Sequence, residues 1–259
     1  MTDNGVPHSA RVWNHWLGGT DNYEVDRRVG DEFAALYPDI TLVARHSRAF
    51  LGRAVTVLAA EEGIRQFLDV GTGIPSADHT HQVARAAAPD ARVVYVDNDP
   101  LVVAHARGLL DGGDDGVAFL EATLHEPAAI LAGAGQTLDL GLPVGLILMN
   151  ILGHVPGREQ AAGLVLELLA GLPSGSFLVT ADGTDVIDGP AFTEAIGVWN
   201  ANAPLGYHLR HPEELAGFLD GLDLLEPGLV PCSQWRPTPD AAGDDVRAVD
   251  EFGAVARKP

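Results

Sequence analysis

The sequence predicts an α/β fold: a mostly parallel sheet with helices on both faces, an antiparallel C-terminal strand and an N-terminal helical cap. Three observations carry this. Short apolar runs alternate with helix-patterned stretches between Gln66 and Thr180, the pattern of parallel strands joined by crossover helices. The first of these runs breaks into a glycine turn, Gly71-Thr72-Gly73. The last two apolar runs, Asp223–Leu225 and Phe252–Ala256, are joined by a connector rich in proline (Pro227, Pro231, Pro237, Pro239) with no helical pattern, which fits an antiparallel hairpin.

In chain order, Trp13 to Tyr23 holds two tryptophans, two asparagines, a tyrosine and Gly18-Gly19. It reads as a poor amphipathic helix and a good lid, with aromatic faces suited to a cation and glycines that permit closure. Trp13 and Trp16 read as staples of the N-terminus to the core. From Glu24 to Ala60 the spacing of Phe33, Leu36, Tyr37, Phe50, Leu51, Val55 and Leu58 is helical, giving the cap. Strands are expected at Gln66–Val70, Arg92–Val96, Val117–Leu120, Val144–Met149 and Phe177–Thr180. Helices are expected between them at Ala77–Ala88, Pro100–Leu110, Glu126–Leu131 and Gln160–Ala170. Asp99 reads as the N-cap of the helix opened by Pro100, and His211-Pro212-Glu213-Glu214 reads as the start of a further helix. The acidic patch Asp111-Gly112-Gly113-Asp114-Asp115-Gly116 reads as a solvated loop.

Composition narrows the function. With 259 residues, 46% of them hydrophobic, the chain can bury a sizeable core and is expected to form one domain. The formal charge of -20, from 16 Lys+Arg against 36 Asp+Glu, repels a polyphosphate backbone or an anionic lipid surface. The basic pairs Arg27-Arg28 and Arg257-Lys258 are too short to offset it, so neither a nucleic acid nor a membrane is expected as partner. One cysteine, Cys232, forms no intrachain disulfide, and no charged-then-apolar leader opens the sequence, so a cytoplasmic enzyme is expected. The longest apolar run, Val144 to Leu152, is far short of the roughly 20 residues needed to span a bilayer. His79, His81 and His105 show no metal-ligand spacing.

The ends of the first two strands describe a pocket for a ribose-bearing cofactor. Gly71 and Gly73 allow a sharp turn and close approach of a ligand. Asp97, ending the second strand on the order of 20 residues later, can accept both ribose hydroxyls. A dinucleotide site usually continues G-x-G-x-x-G, but Ser76 occupies the third glycine position and Pro75 stiffens the turn. Asp69 would also set a negative charge near a pyrophosphate. These features disfavour a nicotinamide-dependent oxidoreductase and suit a cationic ligand such as S-adenosylmethionine.

The motifs D-x-G-x-G (Asp69 to Gly73) and V-D-x-D-P (Val96 to Pro100) resemble those of class I methyltransferases. The run from Arg11 to Tyr23 resembles the opening of an actinobacterial family of S-adenosylmethionine-dependent methyltransferases once grouped as a domain of unknown function. The similarity continues through His79-Thr80-His81, Val155-Pro156, Glu226 to Val230, Trp235-Arg236-Pro237 and Gly253 to Lys258, nearly the whole chain. It implies a Rossmann-like fold with a seven-stranded sheet. It also implies one domain divided into a cap or lid (1–60), a cofactor-binding core (61–182) and an acceptor-side segment with the C-terminal hairpin (183–259). The cofactor implied is S-adenosyl-L-methionine, with S-adenosyl-L-homocysteine as product.

In open α/β sheets ligands lie beyond the C-terminal ends of the strands. That rule nominates Asp69, Gly71, Thr72, Gly73, Asp97, Asn98, Thr123, Leu124, Met149 and Asn150 for the cofactor, with Asn22 and Tyr23 from the lid. Arg45 and Arg48 are candidates for the methionine carboxylate. Thr123 departs from the acidic residue that relatives commonly carry there, and His154 lies one position later than their histidine. A base is needed only for an acceptor that arrives protonated, and the candidates are His15, Asp21, Tyr23, His154, Asp182 and His208. Trp199, Asn200, Asn202, Tyr207 and His208 are expected to line a mixed apolar and polar cavity suited to a small acceptor, an aromatic one included. The resulting expectation is methylation of a small molecule in specialised metabolism by a monomer or homodimer, with O-, N- and C-transfer open. Two rivals keep the same cofactor: a binding protein with a regulatory role, and a relative with non-methylating chemistry.

Overall fold

The computed structural model describes residues 5–74, 79–104, 116–237 and 246–259. Five parallel strands form its centre: β1 (Gln66–Val70), β2 (Arg92–Asp97), β3 (Val117–Glu121), β4 (Gly145–Met149) and β5 (Phe177–Gly183). Beyond them come β6 (Asp223–Leu224), β7 (Val230–Pro231) and β8 (Glu251–Arg257), the last antiparallel to β5 along its whole length. The order is β3-β2-β1-β4-β5-β8-β6, so the strand order reverses between β1 and β4 and opens a crevice there.

The sheet has eight strands where seven were expected. Because β5 occupies one edge of β8, β6 and β7 both pair with the other, β6 at Leu224↔Ala256 and β7 at Val230↔Gly253. The turn closed by Gly228 N–H on Leu225 C=O, with Gly228 at φ +88°, separates the two. The expected seventh strand is therefore two short pieces, and the proline-rich connector supplies the second.

Alternation in the strands sorts side chains onto two faces. Leu68, Val70, Val94 and Val96 face one way, under α5 (Pro127–Ala134) and α6 (Arg158–Ala170), and Phe67, Val93, Ile147 and Val179 face the other, under α3 (Ile40–Ala60) and α4 (Thr80–Ala87). Fully burying such a side chain stabilises the fold by roughly 1.5–3 kcal/mol. A further helix starts at Pro100, where Asp99 Oδ1 accepts the Leu101 N–H at 2.8 Å, and α8 (Pro212–Ala216) starts at His211. Pro75 to Asp78, residues 105–115 (with His105 and most of the acidic patch) and residues 238–245 (with Pro239) lie outside the described residues.

The cap differs from its expected form at its start. Ser9–Trp16 is a helix, α1, capped by His8, whose Nδ1 accepts the Ala10 N–H, and ended by Gly18 at φ +79°. Val12, Arg11 and Asn14 are buried and Trp13 and Trp16 pack beside Val12, but the helix stops at Trp16, so the segment from Trp13 to Tyr23 holds only its last turn. α2 (Glu24–Leu36) and the start of α3 pack with α1 onto α7 (Gly189–Asn202). There Tyr37 stacks on Phe192 at 4.6 Å, and Trp16 meets Phe33 at 5.0 Å. The cap is thereby anchored over the strand ends, where the crevice lies.

Candidate functional site

β1 ends in a turn that only glycine enters without strain: φ is +74° at Gly71 and +67° at Gly73. The Gly71 and Thr72 N–H groups both donate to Val96 C=O, at 2.8 and 3.2 Å, which ties the turn to β2. A Cβ on Gly71 would lie 2.8 Å from the Ile151 side chain. One on Gly73 would meet nothing nearer than Ala10 at 3.9 Å, so this glycine faces open space that a ligand can enter.

Asp97 ends β2 beside that turn. Its Oδ2 accepts the Gly73 N–H at 2.8 Å and its Oδ1 the Asp99 N–H at 2.9 Å, leaving each oxygen capacity for a further donor. Burial pushes this carboxyl up while the two backbone bonds pull it down. Asp69, in β1, accepts the Thr80 hydroxyl at 2.7 Å. Burial raises it to about 6 against that bond and the field of Arg48.

Both acids line a cavity of about 280 Å³. At this end its wall includes Asn98, Thr123, Leu124 and His125, and the Thr123 hydroxyl accepts the His125 N–H at 3.4 Å. The cavity runs past Met149, Asn150 and Ile151 into an aromatic chamber walled by Trp13, Trp16, Phe33, Phe192 and Trp199. A burial network supports the far wall. The Tyr207 hydroxyl donates to Asp182 Oδ1 at 2.7 Å and accepts the Gly183 N–H at 3.0 Å, and Asp182 also accepts the Gly153 N–H at 3.0 Å. Burial, then Asp182, raises the Tyr207 phenol, so it remains a donor. Asn150 sits at φ +53°, donates its N–H to Ala181 C=O at 2.7 Å and its side-chain amide to Ser47 Oγ at 3.1 Å.

His154 lines the same cavity, with Nδ1 2.7 Å from Gly206 C=O. A carbonyl only accepts, so Nδ1 carries the proton, and the neutral ring keeps a free lone pair on Nε2. Burial lowers its pKa and holds it in that neutral form.

Of the residues singled out from sequence, Asp69, Gly71, Thr72, Gly73, Asp97, Asn98, Thr123, Leu124, Met149, Asn150, Arg48, His154, Trp199 and Tyr207 stand in the cavity wall. Several others do not. The Asn22 side chain donates to Asn14 Oδ1 and Gly19 C=O, and the Asp21 N–H also donates to Asn14 Oδ1, which ties their loop to α1. The Tyr23 ring lies under the Arg11 guanidinium at 5.1 Å, packed with Ile74, Leu101 and Val102. Asp182 is buried behind Tyr207, so it positions that phenol. His208 is exposed, His15 pairs with Asp31, Asn200 bonds the Tyr207 backbone, Asn202 bonds Val198 and Arg45 bonds Thr41. Trp13 and Trp16 pack into the cap, as expected of staples, and also wall the chamber.

Sequence reasoning missed Ser47, Glu251, Asn14 and His8 as wall residues. Only Glu251 left a signal, an acid at the head of an otherwise apolar strand pattern. Among the described residues no group of three or more His, Cys, Asp or Glu is arranged to hold a metal ion, and no helix is long and apolar enough to cross a membrane.

A family profile described as S-adenosyl methyltransferase matches residues 1–259. The chain is similar to a DUF574 family protein from Streptomyces avermitilis, 39% identical over 99% of both chains with a TM-score of 0.94. It is also similar to a candidate methyltransferase from Thermobifida fusca, 33% identical over 99% of this chain and 96% of that one, TM-score 0.91. The N-methyltransferase NodS from Bradyrhizobium japonicum, 15% identical over 85% of this chain and 99% of that one, shares the fold at a TM-score of 0.51. No curated protein sequence matches. The open cradle at Gly73, the fixed Asp97 carboxylate and the acidic Asp69 fit an adenosyl ligand that bears a sulfonium and an ammonium. The chain belongs to the S-adenosyl methyltransferase family and is an S-adenosylmethionine-dependent methyltransferase.

Proposed function

We propose that the chain methylates a small molecule held in the aromatic chamber, and that it does so in specialised metabolism as a cytoplasmic monomer or homodimer. The observation that carries this reading is the continuity of the cavity from the glycine turn to the chamber beneath α1 and α7. Its volume suits a small ligand, and the charge of -20 disfavours a nucleic acid.

Asp97 holds the ribose hydroxyls, Thr123 and Leu124 bound the adenine, and Asp69 faces the ammonium, with Arg48 serving the methionine carboxylate. Thr123 accepts without charge, so its grip on an adenine amino group is weaker than a carboxylate's. When bound, S-adenosylmethionine supplies a methyl group on a sulfonium already activated for in-line displacement. The chain then has to align the acceptor and exclude water. Trp13, Trp16 and Phe33 perform the exclusion, and His154 Nε2 takes the proton of an acceptor that arrives protonated. Asp182 serves by locking Tyr207, and Asp21, Asn22, Tyr23 and His208 have no part in this set.

Calorimetric titration with S-adenosylmethionine, S-adenosylhomocysteine and NADH, followed by a screen of metabolite extracts for a mass shift of one methyl group, tests the reading. Binding of both adenosyl ligands with a methylated small product is expected. For an acceptor that must lose a proton, His154→Asn lowers turnover by about 100-fold or more while leaving S-adenosylhomocysteine affinity unchanged. Tight cofactor binding without turnover on any extract would favour a regulatory role.

A further inference from the structure

Glu251 opens β8, is fully buried, and still forms part of the cavity wall. Its Oε1 accepts the Cys232 thiol at 3.5 Å, and Ser47 and Asn150 pull on the carboxyl as neighbouring hydrogen-bonding groups, but no protein donor comes within hydrogen-bond reach of its Oε2. A buried carboxyl oxygen left this way is costly, and a ligand donor in the cavity would relieve it. The polar groups that most influence Glu251 are Ser47, Asn150, Cys232 and Asp182, none of them cationic. Burial, with Asp182 adding to it, pushes this carboxyl up to about 7 against the pull of its three neutral neighbours. The wall's guanidinium, Arg48, acts on Asp69. This corner of the cavity is therefore acidic and lacks a matching positive charge from those groups.

Its position separates it from the cofactor. In the order β2-β1-β4-β5-β8, Glu251 lies four strands from Asp97, roughly 19 Å at the usual strand spacing. The two carboxyls thus mark opposite ends of one cavity, with the aromatic chamber beside the second. Aromatic faces also attract a cation in a site shielded from water.

Resting on the methyl-transfer reading above, we propose that Glu251 is the recognition residue for the acceptor and that this acceptor carries a protonated amine on an apolar, ring-sized body. The ammonium donates to Glu251 Oε2, beside the Ser47 hydroxyl and the Asn150 amide, and the body lies against Trp13, Phe33 and Phe192.

The test is calorimetric titration of phenethylamine, phenethyl alcohol and phenylacetate into the protein saturated with S-adenosylhomocysteine. These probes share a body and differ in the charge of the head group. The amine is expected to bind at least about 10-fold more tightly than the alcohol, with no binding of the carboxylate. Glu251→Gln should abolish that preference while holding S-adenosylhomocysteine affinity within about 2-fold. Equal binding of the three probes, preference for the alcohol, no binding of any of them, or a preference that survives Glu251→Gln would each overturn the proposal. The comparison of probes on the unaltered protein stands even if the variant fails to fold. Failure of S-adenosylhomocysteine to bind would instead sink the methyl-transfer reading, and the three probes titrated into the free protein would still test Glu251.

Discussion

At one end of the cavity, Gly71, Gly73 and Asp97 come from two neighbouring strands, and backbone N–H groups hold the carboxylate in place. At the other, Trp13, Phe33, Asn150, Phe192, Tyr207 and Glu251 arrive from six segments spread from α1 to β8. There the positions are set by ring stacking, a buried phenol and a polar network. The first end is a local device whose geometry follows from turn chemistry. The second is an assembly whose shape depends on how the cap, α7 and β8 pack together. Damage to the first should appear in cofactor affinity, and damage to the second in stability and in the shape of the chamber.

Asp97→Ala should break the first end with the largest effect. It removes the acceptor proposed for the ribose and frees the Gly73 and Asp99 N–H groups. Loss of a charged acceptor is worth about 1.5–3 kcal/mol, so S-adenosylmethionine affinity should fall by about 10- to 100-fold in calorimetry. An unchanged affinity would remove Asp97 from the site.

Gly153→Ala is the counterpart at the aromatic end. The new Cβ would lie 2.3 Å from Tyr207 Cζ, so the ring must move and its bond to Asp182 must loosen. Overpacking of this kind costs about 1–3 kcal/mol, read as a lower melting temperature, while S-adenosylhomocysteine affinity stays within about 3-fold. Equal loss of affinity and stability would show that the two ends are coupled.

The pH dependence sharpens the contrast in charge. Burial raises Asp69 and Asp182 to about 6 and Glu251 to about 7. A carboxyl whose pKa is raised on folding contributes stability that is full below its unfolded value and is lost as pH rises through the folded one. The ligand-free protein should therefore gain about 1 kcal/mol or more between pH 8 and pH 5.5. His154 works the other way: its pKa is lowered by burial, so its contribution is present above the unfolded value and declines as pH falls through the folded one. Glu251→Gln should flatten the melting temperature profile across this window; a profile unchanged by that variant would mean that Glu251 stays ionised throughout.

The two ends also differ in how far the sequence reveals them. The glycine turn, Asp97 and the five parallel strands lie in runs whose period and turn residues are readable over a few positions, so their elements were located to within a few residues. The break between β6 and β7 was hidden because two-residue strands leave no period, and α1 was hidden because it ends at Trp16, so the segment from Trp13 to Tyr23 holds only its last turn. Ser47 and His8 carry no local sign of facing a cavity, since only the packing of α3 and α1 turns them toward it. Asn22 and Tyr23 present the opposite case: their side chains engage Asn14, Gly19 and Arg11, contacts that no spacing rule announces.

Tyr23 therefore gives the smallest and most discriminating test of where the boundary between the ends lies. Its ring lies under the Arg11 guanidinium and packs with the cluster of Ile74, Leu101 and Val102, whose Ile74 follows Gly73 of the glycine turn. Tyr23→Phe keeps that ring, so stability should change by less than about 0.5 kcal/mol and turnover by less than about 2-fold. Tyr23→Ala removes it and should weaken cofactor binding by loosening Ile74, next to Gly73. If Tyr23→Phe instead cut turnover more than about 10-fold with cofactor affinity intact, the hydroxyl would have to reach the chamber during the reaction. The loop between α1 and α2 would then be a moving part of the aromatic end, and its hydrogen bonds to Asn14 would describe only the resting position.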